Sequence, residues 1–439
     1  MKFNLYCTLI ASGLILACGC KKPLNNSVKL SNGAKAGFAA NTGWQMPGIY
    51  GRLARYDIND GNNSDCILAY DVYYGTVSLT QFNATNSTTL YGPVDGFATD
   101  NEGTIDVNNW WSDITDNYNE VGGVHIIPYD ATGSGHEDHL LLYIPLRGVA
   151  CLLHYTGVGS TPWHVDWQNG TTSGPGIGGY NLAGIYDKII TYDYGTGEKN
   201  YLMLYRPGSG ILWVLQNNTT PSNPDPAGGI TWTPRIQSNG GIGGYDLKNV
   251  SDQLVVIGGP AHDYMDLAAF RPGYGNVWFL YHAANSVNWS AGYSTSSGLN
   301  GFGLDKQDRI ATGSDGGVLV PASVVPENDA NSFFYRPGPG LGAVPTCQAA
   351  FYQWPGSGNP GAPTYPTFSG FGTNSSQLLL TNPYANSTNA GDHVLFFTGY
   401  GGNYNISMLF YTPGASKQSQ LYYPVGEAEA TGANYYEVY

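Results

Sequence analysis

Charge is scarce in this chain. Only 18 of its 439 residues are Lys or Arg and 32 are Asp or Glu, a formal net charge of −14. So few cations, scattered along the sequence, form no stripe that could neutralise a phosphate backbone, which excludes nucleic acid as a partner. The shortage of Lys and Glu also excludes coiled coils and long exposed helices. Cysteine is rare as well. Cys7, Cys18 and Cys20 lie near the N-terminus, and Cys66, Cys151 and Cys347 form an odd, widely separated remainder. That remainder implies no disulfide framework. Lying in short apolar runs such as Cys66-Ile67-Leu68 and Ala150-Cys151-Leu152-Leu153, and less clearly Pro345-Thr346-Cys347, these residues read as small buried hydrophobes. No H-E-x-x-H, G-x-S-x-G elbow or Walker loop is present, so no catalytic motif announces an enzyme.

What the chain has in abundance is 61 Gly, 26 Pro and 34 Tyr, with 42% hydrophobic and 13% aromatic residues. That is ample for a core and argues against general disorder. Gly, Pro, Asn, Thr and Tyr together are the vocabulary of short strands and tight turns. The expected fold class is all-β.

The N-terminus reads as an address. Met1-Lys2 gives a positive start, and Phe3 to Ala17 is mostly apolar, the length of a secretory core segment and short for a membrane span. Leu14-Ile15-Leu16-Ala17-Cys18 resembles the bacterial lipoprotein lipobox. The resemblance implies removal of residues 1–17 and acylation of Cys18, with Cys20 the alternative anchor in Ala17-Cys18-Gly19-Cys20. Residues 18–40, polar and basic at their start, are expected to be a flexible tether, and 41–439 a single domain. The expected location is the bacterial cell envelope, at the outer membrane or cell surface, held by an acyl anchor.

The organising feature is an internal repeat. Residues 176–215, GIGGYNLAGIYDKIITYDYGTGEKNYLMLYRPGSGILWVL, align without a gap on 241–280, GIGGYDLKNVSDQLVVIGGPAHDYMDLAAFRPGYGNVWFL. Both carry Gly-Ile-Gly-Gly-Tyr-x-Leu, an Asp eleven positions after the first Gly, and [Tyr/Phe]-Arg-Pro-Gly-x-Gly-x-x-Trp-x-Leu. A third copy holds Tyr335-Arg336-Pro337-Gly338-Pro339-Gly340, and divergent copies begin at Asp65, Asp138 and Asp392. The aromatics Tyr70, Tyr143, Tyr205, Phe270, Tyr335 and Phe397 mark six copies, spaced 73, 62, 65, 65 and 62. Within the best unit, 188–192, 201–205, 211–215 and 230–233 are strand-like runs. Four-stranded units repeated in series predict a β-propeller, most simply of six blades with seven possible. The tyrosine-rich tail, 421–439, is expected to close the ring against the first blade.

The Asp-rich connection, apolar strand and Tyr-Arg-Pro-Gly-x-Gly turn resemble FG-GAP or VCBS-type propeller repeats over roughly residues 45–425. The resemblance implies calcium in an interstrand loop, and the best-matching loop offers Asp57, Asn59, Asp60, Asn63 and Asp65.

Other candidate ligand-binding residues are Arg206, Arg271 and Arg336 in equivalent turns, where pairing with a nearby carboxylate is the stronger reading and an acidic glycan the sharper one. Trp110 and Trp111 in the acidic insertion 95–120, and Trp167 within His164, Asp166, Trp167 and Gln168, offer flat faces for sugar rings. His136-Glu137-Asp138-His139 reads as an exposed loop that imitates a metal motif. Trp213 and Trp278 are expected in the core. The expected function is a non-catalytic binding or adhesion module for a glycan or protein partner. The alternatives are a self-assembling surface subunit or fibre, and a polysaccharide-active enzyme with its acids in the channel.

Overall fold

A computed structural model describes residues 51–58, 65–71, 75–82, 87–105, 124–134, 136–170, 173–192, 201–219, 229–258, 265–283 and 286–298, and, beyond these, the strands of the last two sheets. Each repeat folds as its alternation of β-prone runs and Gly, Pro, Asn or Asp breaks dictates, into an antiparallel meander. The first sheet runs Gly51–Asp57, Asp65–Asp71, Thr76–Phe82, Ser87–Asp95. The second is His125–Tyr129, His139–Ile144, Val149–Tyr155, Trp163–Gln168. The third is Lys188–Tyr192, Tyr201–Arg206, Ile211–Asn217, Trp232–Ser238. The fourth is Gln253–Gly258, Met265–Arg271, Asn276–His282, Trp289–Thr295. A fifth, five-stranded sheet begins with Arg309–Ala311 and Ala330–Arg336, and a sixth runs from His393–Thr398 through Ile406–Tyr411 and Gln420–Val425 to Tyr435–Glu437.

The first strands of the first four sheets touch in succession. The fourth sheet touches the fifth, the fifth touches His393–Thr398, and that strand returns against Gly51–Asp57. The sheets therefore close on themselves, and the fold is a β-propeller.

Sheet faces pack on sheet faces. In the second sheet Leu140, Leu142, Cys151 and Leu153 join Tyr56, Cys66 and Leu68 of the first sheet. Leu141, Tyr143, Ala150 and Leu152 turn the other way, towards Ile189, Leu202 and Leu204 of the third. Successive side chains of a strand point to opposite faces, so a strand between two sheets must be apolar throughout, and His139–Ile144 is buried along its whole length. Each leucine so placed contributes about 1.5–3 kcal/mol. Cys66 and Cys151 lie buried in these layers and form no disulfide, as their apolar neighbours predict. Burial, with a smaller contribution from nearby acids, pushes the Cys151 thiol up to about 12.

The blades are also joined by a recurring hydrogen bond. The Tyr143 hydroxyl accepts the Ile189 N–H at 3.1 Å, and Tyr205, at the equivalent place, accepts the Leu254 N–H at 3.2 Å. In both cases a tyrosine in one sheet's second strand holds the first strand of the next.

Two expectations change at the end of the chain. Phe397 falls in the first strand of its sheet, whereas the other aromatic markers fall in the second. The tail strand Tyr435–Glu437 pairs with Gln420–Tyr422 inside its own sheet, so it completes the last blade and does not pair with the first.

Candidate functional site

The Gly-Ile-Gly-Gly-Tyr and Arg-Pro-Gly motifs meet in a box that recurs between neighbouring elements. The segment turns tightly at Ile177 and Tyr180, whose backbones bond each other. Gly176 has φ +85°, and a Cβ there would stand 1.8 Å from the Tyr180 carbonyl oxygen, which is why only Gly serves. The Tyr180 hydroxyl donates to Asp187 Oδ1 at 3.0 Å. Arg206 grips the same carboxylate, Nε to Oδ1 at 2.6 Å and one terminal nitrogen to Oδ2 at 2.8 Å, and also reaches Asn181. The next repeat copies the arrangement with Tyr245, Asp252, Arg271 and Asp246. Both aspartate side chains are 0% exposed, and the guanidinium lies over the tyrosine ring in each copy. The hydrogen bonds to Asp187 and Asp252 hold the two arginines above their ordinary pKa in spite of partial burial. Arg206 and Arg271 are thus engaged inside the fold. The Arg336 side chain lies outside the described residues.

The remaining aromatic candidates divide. Trp167 is half-buried, stacking edge-on against Trp232 with ring centroids 4.7 Å apart, between the second and third sheets. Trp213 and Trp278 are half-buried, packed against the core clusters and edge-on to Tyr180 and Tyr245. Trp110 and Trp111 lie outside the described residues. Of the calcium loop, Asp57 binds His136 Nδ1 at 2.7 Å through Oδ2, Asp65 is described as strand backbone only, and Asn59, Asp60 and Asn63 lie outside the described residues.

A different cluster assembles at one end of the second sheet. The register of the ladder sets His139 opposite His154 and His154 opposite His164, so three imidazoles follow one another across three strands. Their ring centroids are 5.3 and 5.5 Å apart. Each ring has a carboxylate at Nδ1: Asp138 on His139 at 2.6 Å, Asp166 on His154 at 2.8 Å and Asp100 on His164 at 2.7 Å. Asp166 Oδ2 also lies 3.6 Å from His139 Nε2. Burial is the largest single influence on His154 and would lower its pKa, but the hydrogen bond and charge of Asp166 together with the charges of Asp138 and Asp100 outweigh it, and the net shift is upward.

The local fold explains how these groups converge. Val165 pairs with Leu153 and Trp167 with Leu152, which leaves Asp166 as the extra residue of a β-bulge. A bulge re-aims its side chain, here towards His154. Asp100 and Asn101 arrive on the turn of a small hairpin, Phe97–Ala98 with Thr104–Ile105, that docks beside Trp163–Gln168. Asn101 imitates a strand there, its amide donating to the Val165 carbonyl at 2.8 Å while its oxygen accepts the Val165 N–H at 3.1 Å. Beneath, Trp163 is fully buried among Tyr56, Tyr91, Phe97 and Tyr155.

In the sequence His164 and Asp166 stand in one group, while His154, Asp100 and Asn101 lie outside it. The exposed loop expected at His136-Glu137-Asp138-His139 is corrected: Glu137 and His139 are both buried and His139 opens a strand. The repeat itself carried the missing signal. Tyr201 pairs with Gln216 in the third sheet, and transferring that pairing by the Tyr143/Tyr205 alignment puts His139 against His154.

No family model matches the chain, and no curated protein matches it. Among solved structures it is similar to a lectin from Agrocybe aegerita described as recognising non-reducing terminal N-acetylglucosamine, at 12% identity over 91% of this chain and 83% of that one, with a TM-score of 0.44. It is also similar to a protein from Lactobacillus plantarum, at 10% identity over 88% and 87% of the two chains and a TM-score of 0.37. YCF48 from Cyanidioschyzon merolae matches at 10% identity over 90% of this chain and all of that one, with a TM-score of 0.35.

Proposed function

We propose that this propeller is a non-catalytic binding module of the bacterial cell surface, of FG-GAP or VCBS type, held by an acyl anchor at Cys18 and directed at a glycan or protein partner. The observation that carries this reading is the polar end of the second sheet, where Asp100, Asn101, His154, His164 and Asp166 converge, partly exposed, outside any apolar layer. Carboxylates, an amide and imidazoles held in fixed orientation present both donors and acceptors, the complement of a hydroxyl-rich ligand. The arginines, by contrast, serve the fold.

The test is binding of the mature protein to a glycan array, purified envelope polymers and envelope proteins, with and without a calcium chelator. Asp100→Ala and His164→Ala should each weaken a detected interaction about tenfold, the loss of one charge-assisted hydrogen bond. Silence across all three ligand sets, or binding indifferent to both substitutions, would sink the reading. Cys18→Ser should release the protein from the membrane fraction while Cys20→Ser leaves it there.

A further inference from the structure

We infer that His139, His154 and Asp166 form a binding site for one divalent transition metal ion of the zinc class. The three side chains offer ligand atoms that all lie within 4.8 Å of one another. His139 Nε2 and Asp166 Oδ2 are 3.6 Å apart, and His154 Nδ1 and Asp166 Oδ2 2.8 Å. Two ligands on a tetrahedral zinc ion stand roughly 3.4 Å apart, and both of these separations lie close to that spacing.

The surroundings of the cluster favour an ion. With Asp138 accepting the Nδ1–H of His139 at 2.6 Å, Nε2 is the nitrogen available to an ion, 3.6 Å from the Asp166 carboxylate. A carboxylate behind a ligating imidazole is also the usual outer support of a metal site, fixing the tautomer and the ring. On binding, the ion takes the place between His154 Nδ1 and Asp166, and the neutral His154 ring carries its N–H on Nε2. The His154 and Asp166 side chains are 33% and 18% exposed, so water or a ligand oxygen can complete the coordination.

The fold does not demand these residues. The positions equivalent to His139, His154 and Asp166 hold Tyr201, Gln216 and Arg235 in the third sheet, and Asp266, Tyr281 and Gly292 in the fourth. The same bulge is built in all three sheets, and only in the second does it carry a carboxylate facing two imidazoles. Two nitrogen donors and one oxygen select a borderline ion; calcium takes six to eight oxygens. This site goes beyond the proposed ligand reading, since it can be loaded and measured with no glycan or partner present.

The experiment titrates the full chain with zinc alone at neutral pH against a chromophoric chelator, with the folded state of each variant checked by thermal melting. One zinc per chain is expected. His154→Gln and Asp166→Asn should each weaken it about 100-fold, Asp138→Asn about tenfold through the loss of outer support, and His164→Gln by less than about threefold. Excess calcium should not displace it. Absence of stoichiometric binding, or affinity unmoved by both His154→Gln and Asp166→Asn in folded protein, would overturn the assignment.

Discussion

Asp266 puts a single buried carboxyl where the third repeat has Tyr201 and the second has His139. It is 1% exposed, and neither oxygen has a hydrogen-bond partner among the described residues. Burial pushes its pKa up to about 8. In the unfolded chain the group ionises near pH 4, so between about pH 4 and about pH 8 the folded state holds a proton that the unfolded state has lost. The contribution of this group to stability is therefore most favourable below that window, falls as pH rises through it, and levels off above. Asp266→Asn removes the penalty while keeping the shape. Its melting temperature should match the parent near pH 4 and exceed it by roughly 5 °C near pH 8. Equal differences at both pH values would show that this carboxyl is not the titrating group. Nothing in the local sequence, Met265-Asp266-Leu267, announces the burial; it emerges only when the repeat alignment is combined with the two-sided packing of second strands.

The arginine boxes are elements in which motif and structure agree. The scarcity of cations argued that Arg206 and Arg271 would pair internally, and they do, with the Asp eleven positions after the first Gly of each repeat. Removing the arginine strands an aspartate with no exposure. Arg271→Ala should lower unfolding stability in urea by about 3–5 kcal/mol, and Arg271→Lys should recover only part, because one ammonium cannot span Asp252 and Asp246 as the planar fork does. A loss below about 1 kcal/mol would assign the arginine to the surface after all. The histidine array was less legible because its members are separated by strands and turns. Their proximity depends on hairpin register and on a bulge at Asp166, and a bulge has no residue signature in Trp163-His164-Val165-Asp166-Trp167.

At the scale of the molecule, the repeats were legible because strand runs and Gly-rich turns recur with their spacing. Closure was not, because it depends on contacts between first strands that share no local pattern. The ring returns through His393–Thr398 against Gly51–Asp57, while the tail strand is an edge of its own sheet. Removing residues 435–439 should therefore leave a single cooperative melting transition and lower its midpoint by only about 3 °C, an edge strand's worth of packing. Collapse of the transition would mean that the tail holds the ring after all.

The tyrosine joints carry one more consequence. Each needs a phenol from one unit and a backbone N–H from the next, as Tyr143 meets Ile189 and Tyr205 meets Leu254. Every residue except proline supplies that N–H, so the receiving side places almost no demand on amino-acid identity. Successive units can drift apart in sequence while remaining coupled in the same register. A chain built this way keeps its architecture after most of its self-resemblance has eroded, and its individual blades are left open to acquire chemistry of their own.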